Sequence, residues 1–186
     1  MRTRKASSGR SSAANPILLM EPSDVVFVVE ELALADVPVV VDGGWGVDAL
    51  VGRKTRDHDD LDLAIDRSLV GRAVEVLSGS GFALDPDARP GLPARVVLRD
   101  ENGRRVDFHP LVFDADGNGW QQLDEGAWGL YPAGDIGATG RIGEREVRCI
   151  SAELQLRHHL GYDLGETDMH DLTVLRERFG IPLPPP

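Results

Sequence analysis

The spacing of apolar residues along the chain divides it into short elements. After Ser23, a capping residue type, Val25, Val26, Phe27, Val28, Val29 and Leu32 form a dense apolar run. The run predicts a helix to about Ala35 that buries more than one face. So many β-branched residues in succession also suit a strand. Pro38 then introduces a strand, Val39 to Val41. Glycines follow at 43, 44 and 46, and Trp45 to Val51 predicts a short helix closed by Gly52. Beyond a polar connection, 54–59, Leu61 to Ile65 is a second strand. Ser68 to Leu77 is a helix ended by the glycines and serines of 78–81.

From Phe82 the pattern changes to strands and turns. Ala94 to Leu98 and Arg105 to Phe113 flank an Asn102-Gly103 turn signal and predict a hairpin. Residues 117–135 are glycine-rich, contain Trp120 and Trp128 and keep no regular period, so they are expected to form a long loop over a site. Residues 141–150 predict a further strand or hairpin bent at Gly143. Two helices follow, one capped by Ser151 and running to about His159, the other capped by Thr167 and running to Phe179 with Gly180 past its end. The pattern gives one mixed α/β domain over 19–181. A basic, serine-rich tail at 1–18 and a proline-rich tail at 182–186 flank it.

Composition narrows the classes. The chain has 186 residues and a hydrophobic fraction of 41%, enough for one core of ordinary size. No apolar run approaches the length needed to span a bilayer. One cysteine, Cys149, excludes an internal disulfide and suits a reducing, cytoplasmic setting. A net charge of -11 repels phosphate backbones, which disfavours nucleic acid as a partner and suits a cationic small molecule. The basic tail resembles a transit peptide in composition, but no secretory-type apolar segment follows it. Nothing in the pattern sets the oligomeric state.

Candidate chemistry collects around 39–65. On a strand the side chains alternate, so His58, Asp60 and Asp62 share one face while Leu61, Leu63 and Ile65 take the other. Two carboxylates about 7 Å apart on one strand repel each other, and a divalent cation shared with nucleotide phosphates would offset the repulsion. Asp107 lies in an otherwise apolar strand with His109 on the same face. A carboxylate there needs a partner, either a salt bridge to Arg104 or Arg105 or a metal site. Three carboxylates on two strands meet the needs of two-metal phosphoryl transfer, two of them bridging the ions and one deprotonating the attacking hydroxyl. Gly43 and Gly44 let backbone N–H groups approach a triphosphate at a helix start, with Arg56 and His58 as possible phosphate contacts. The alternative is a dinucleotide fingerprint in Gly44-Trp-Gly-Val-Asp-Ala49. Against it, no further βα repeats follow. A Walker A sequence is absent.

The residues Gly43 to Gly52, Thr55 to Asp62 and Val106-Asp-Phe-His-Pro110 resemble the antibiotic nucleotidyltransferases of the aminoglycoside 2''-adenylyltransferase and lincosamide nucleotidyltransferase type, within the polymerase-β-like superfamily. Weaker similarity continues through His159 to Tyr162 and Asp168 to Asp171. The resemblance implies a nucleotidyltransferase fold, a mixed twisted sheet flanked by helices. It implies Asp60 and Asp62 as magnesium ligands, Asp107 as third carboxylate and general base, and Gly43 and Gly44 at the triphosphate of ATP or another nucleoside triphosphate. The implied reaction places AMP on a hydroxyl of an aminoglycoside or lincosamide. Two other readings keep the residues but change the outcome: a toxin-type enzyme modifying tRNA or protein, and a nucleotide-binding regulator without catalysis. The resemblance leaves the acceptor and the nucleotide base open.

Overall fold

The computed structural model describes residues 19–88, 95–123, 126–160 and 162–182. The expected tail over 1–18, the expected tail over 182–186 apart from Pro182, and Ala94 at the start of the expected hairpin lie outside them. The described chain runs α1 (Pro22–Leu34), β1 (Val39–Val41), α2 (Gly43–Val51), β2 (Asp60–Asp66), a 3-10 turn (Arg67–Leu69), α3 (Val70–Gly79), β3 (Ala83–Leu84), β4 (Val96–Arg99), β5 (Arg105–Phe113), β6 (Gly119–Gln122), β7 (Trp128–Tyr131), β8 (Ala138–Ile142), β9 (Arg145–Cys149), α4 (Ala152–His158) and α5 (Glu166–Phe179).

One mixed sheet carries all of these strands, in the order β3-β4-β5-β2-β1-β9-β8, with β6 paired to β5 and β7 to β6. β2 runs antiparallel to β1 and parallel to β5. Alternation gives the sheet two unlike faces. Leu61, Leu63, Ile65, Val106, Phe108, Val41 and Cys149 pack with Val25, Val28 and Leu32 of α1, Ala73 and Leu77 of α3 and Trp45 of α2 in the main core. The other face carries Asp42, Asp60, Asp62, Asp107 and His109. Beside them sits a smaller apolar cluster of Ala64, Leu111, Tyr131, Ile136, Ile150 and Leu154. The sheet thus separates core from chemistry.

Several boundaries differ from those the sequence predicts, each for a local reason. α1 starts at Pro22, whose fixed φ suits a first helical position, so Ser23 lies inside the helix; Asp24 accepts from the Glu21 N–H at 2.9 Å. The β-branched run of α1 is helical because α1 packs as an amphipathic layer on the sheet. α5 starts at Glu166, not after Thr167, because Asp168 reaches back to the Gly165 N–H at 2.8 Å. The expected loop over 117–135 is largely the β6–β7 hairpin. Asp114 closes its approach by accepting from the N–H groups of Asp116 and Asn118 and from the Trp120 indole. These strands lack β-branched residues, so neither period nor composition announced them.

Trp128 and Tyr162 are exposed, and Trp120 is half-buried. Cys149 is buried on β9, and burial pushes its thiol up to about 12. The thiolate needed for alkylation is therefore suppressed. At pH 8 a maleimide is expected to leave the native chain unlabelled and to label Cys149 only after denaturation, as mass spectrometry would read.

Candidate active site

Strand register builds the centre of the site. β2 and β5 pair in parallel with Asp62 directly beside Asp107 and Asp60 beside Arg105. Both aspartates project from the face opposite the core. The result is a pair of carboxylates at one height on adjacent strands. His109, two residues beyond Asp107 and so on the same face, brings Nε2 to 3.3 Å from Asp62 Oδ1. Donor atoms of Asp62, Asp107 and His109 all lie within 4.8 Å of one another. Asp60 lies outside that trio but feels its charge. Burial, followed by repulsion from Asp62, Asp59 and Asp107, raises its pKa to about 7.

Asp107 is buried, which pushes its carboxyl up to about 6, with Asp62 adding to the shift while His109 and Arg95 oppose it. One oxygen, Oδ2, contacts the half-exposed Arg95, which sequence reasoning did not anticipate. Arg104, expected as a partner for Asp107, pairs with Asp100 and Asp24 instead. The other oxygen, Oδ1, has no hydrogen-bond partner among the described residues. A buried, unpartnered carboxylate oxygen beside two further carboxylates fits a hard divalent cation, which prefers oxygen ligands and would offset the mutual repulsion.

Above the carboxylates lies the glycine turn. Asp42 caps α2 by accepting from the Gly43 N–H at 2.7 Å. Gly43 has φ +56°, and a Cβ there would stand 2.2 Å from Asp62 Oδ2. The turn therefore rests directly on the Asp62 carboxylate. The start of α2 brings first-turn backbone N–H groups and the positive end of the helix dipole, a suitable seat for phosphate.

Arg56 and His58, expected at the nucleotide, back the turn from the side. A Cβ on Gly44 would meet Arg56 Nη2 at 2.3 Å and His58 Nδ1 at 2.6 Å. Arg56 makes a two-point contact with Asp171 of α5, at 2.9 and 2.8 Å. His58 is buried, with Nε2 2.6 Å from Asp48 of α2. This geometry makes His58 a partner of the Asp48 carboxylate. The reason is the chain path: the His58 carbonyl bonds to the Met20 N–H, which draws the start of β2 inward and its ring against Trp45.

Asp42 itself escaped sequence reasoning. It is buried, and its Oδ2 accepts from the Tyr131 hydroxyl at 2.9 Å; His109 and His158 approach it at 3.6 and 3.7 Å. Burial opposes ionisation of Asp42, but the two histidines outweigh it and hold the carboxyl well below the usual range. For His109, burial opposes the charge, yet Asp42 and Asp62 prevail and raise its pKa well above the ordinary histidine value. An aspartate as the last residue before a glycine turn is a usable signal. Tyr131, Gln155 and His158 carry none, because the strands and helix that deliver them are distant in sequence.

A cavity of about 520 Å³ opens beside His109. Gln121, Leu123, Leu130, Tyr131, Arg157 and His158 are among its walls. His109 joins it to the carboxylate pair, since the same side chain lines the cavity and stands beside Asp62 and Asp107.

Known proteins resemble this chain in sequence and in fold. The profile of the family described as aminoglycoside-2''-adenylyltransferase matches residues 24–175. A lincosamide resistance protein of Staphylococcus haemolyticus is 34% identical over 136 residues, which cover 73% of this chain and 82% of that protein. A 2''-aminoglycoside nucleotidyltransferase of Escherichia coli is 30% identical over 144 residues, 72% of this chain and 71% of the relative. Among solved structures, the lincosamide antibiotic adenylyltransferase LnuA bound to lincomycin superposes with a TM-score of 0.73 at 30% identity, covering 86% of this chain and 98% of that one. ANT(2'')-Ia in complex with adenylyl-2''-tobramycin shares the fold, with a TM-score of 0.61 at 20% identity, covering 86% and 89%.

Gly43→Ala places a methyl group on Asp62 and forces a side chain into positive φ. A displacement of about 1 Å at a reacting centre costs on the order of 100-fold in rate. The variant is expected to lose at least about that much of any reaction run at Asp62 while keeping the parent's far-ultraviolet circular dichroism.

Proposed function

This chain belongs to the aminoglycoside-2''-adenylyltransferase family and is a nucleotidyltransferase; from that premise we propose that it moves AMP from ATP to a hydroxyl of a lincosamide-type antibiotic. The observation that carries the reading is the registered pair Asp62 and Asp107 beneath the Gly43–Gly44 turn, with the cavity beside it. The turn and the N-terminus of α2 bind the triphosphate. Asp60, Asp62 and Asp107 would hold magnesium, which would neutralise phosphate charge and polarise the α-phosphoryl group. Asp107 takes the proton of the acceptor hydroxyl. The hydroxyl oxygen forms its bond to the α-phosphorus as the bond to the bridging oxygen breaks, and pyrophosphate leaves with that electron pair.

The cavity walls favour one acceptor class over the other. Leu123, Leu130 and Leu160 are apolar, Arg157 is cationic, and no carboxylate is among the wall residues described. A polycationic aminoglycoside needs anions to replace its hydration, whereas a molecule with an apolar arm and a single amine, such as lincomycin, does not. A pocket of this size also suits a small molecule better than tRNA or protein.

Pyrophosphate release with MgATP is expected with lincomycin, and at least about tenfold higher kcat/KM for it than for tobramycin; the reverse order would overturn the acceptor assignment. Asp60→Asn, Asp62→Asn and Asp107→Asn should each lower kcat by at least about 100-fold with unchanged circular dichroism. Full activity in any of them would remove that residue from the mechanism.

A further inference from the structure

α4 approaches the glycine turn through one side chain. Gln155 is 1% exposed, and its Nε2 donates to the Gly43 carbonyl at 3.0 Å. A Cβ on Gly46 would lie 2.4 Å from that same nitrogen. Gly46 is thus a glycine that makes room for an amide, and it lies one helical turn beyond the peptide the amide holds. A trans peptide is planar, so fixing the Gly43 carbonyl also fixes the Gly44 N–H, which points the opposite way. That direction is away from Gln155 and toward the N-terminal end of α2, the end that Asp62 abuts.

We propose that Gln155 is a positioning residue for the nucleotide: its buried amide sets the plane of the Gly43–Gly44 peptide so that the Gly44 N–H meets the triphosphate, and Gly46 admits it. The inference rests on the reading that α2 seats a nucleoside triphosphate. The base of α4 is itself anchored, which gives the amide a fixed origin. Ser151 caps the helix by accepting from the Leu154 N–H at 3.1 Å and donates to Asp135 at 2.7 Å. The Gln155 carbonyl lies 2.7 Å from His159 Nδ1. Pre-organisation of this kind matters because a peptide free to tilt would have to be ordered by the nucleotide at the expense of affinity.

The test compares Gln155→Met, which keeps length and loses the donor, with Gly46→Ala, which leaves the amide but displaces it. Each is expected to raise KM for ATP about tenfold, the scale of one neutral hydrogen bond, while KM for the acceptor stays within about twofold. The added methyl group meets the amide at 2.4 Å and the Val41 carbonyl oxygen only at 3.2 Å, so most of the cost of Gly46→Ala should disappear in a Gln155→Ala background. Unchanged KM for ATP, equal losses for ATP and acceptor, or effects that multiply in the double variant would each overturn the proposal. Should Gln155→Met fail to fold, the Gly46→Ala cycle carries the same decision. Titration of the parent with MgATP separates the two levels: no binding there refutes the nucleotide reading itself, whereas normal binding in parent and variants alike refutes only the role of Gln155.

Discussion

Two carboxylates at one height on neighbouring strands are the constraint to which the rest of the site answers. A parallel register that sets Asp62 beside Asp107 places like charges together on a half-buried surface, and the fold holds this arrangement against their repulsion. It does so by packing the opposite face of the same two strands into the main core, where Leu61, Leu63, Val106 and Phe108 are fully buried. Sliding β2 by one residue would relieve the charges but would turn those apolar side chains to the wrong face. The apolar face thus fixes the register, and the register fixes the site. Cations then gather where the register leaves charge: His109 against Asp62, and Arg95 against Asp107.

The glycine turn is held in the same economical way, by neighbours that come from every side. Asp62 lies under Gly43, Arg56 and His58 flank Gly44, and Gln155 occupies the space left by Gly46. Each glycine in the run answers to a different neighbour, so the motif describes a close-packed junction of α2, β2, α4 and the 54–59 connection as much as it describes a phosphate seat. Asp171 extends the junction to α5 by holding Arg56. An ion pair with one member buried breaks at high cost, and this one ties the C-terminal helix to the turn.

Sequence alone carried the elements whose residues repeat with a clear period, β1, α2, β2 and the β4–β5 hairpin, because the two sheet faces differ sharply in polarity there. It carried Asp60, Asp62 and Asp107 as candidates for the same reason: a charged residue in an apolar strand stands out. It did not carry the β6–β7 hairpin, whose strands are short and lack β-branched residues, and so it missed Tyr131. The helix starts at Pro22 and Glu166 depended on which side chain won a contest for the first N–H groups, and several acidic and hydroxyl residues stood within reach. The roles of Arg56 and His58 turned on partners far away in sequence, Asp171 and Asp48, and no local pattern names such partners.

Overall charge and local charge point in different directions here. A balance of -11 favours a cationic acceptor if the acids line the place where the acceptor sits. The described acids near the site are otherwise engaged: Asp42 with Tyr131 and the N-terminus of α2, Asp48 with His58 and Thr55, Asp135 with Arg157 and Ser151, Asp171 with Arg56. Those left exposed to like charge, Asp60, Asp62 and Asp107, are the ones a metal would neutralise. The cavity beside His109 has an apolar and basic wall, so net charge, a property of the whole surface, does not describe the lining of one cavity within it.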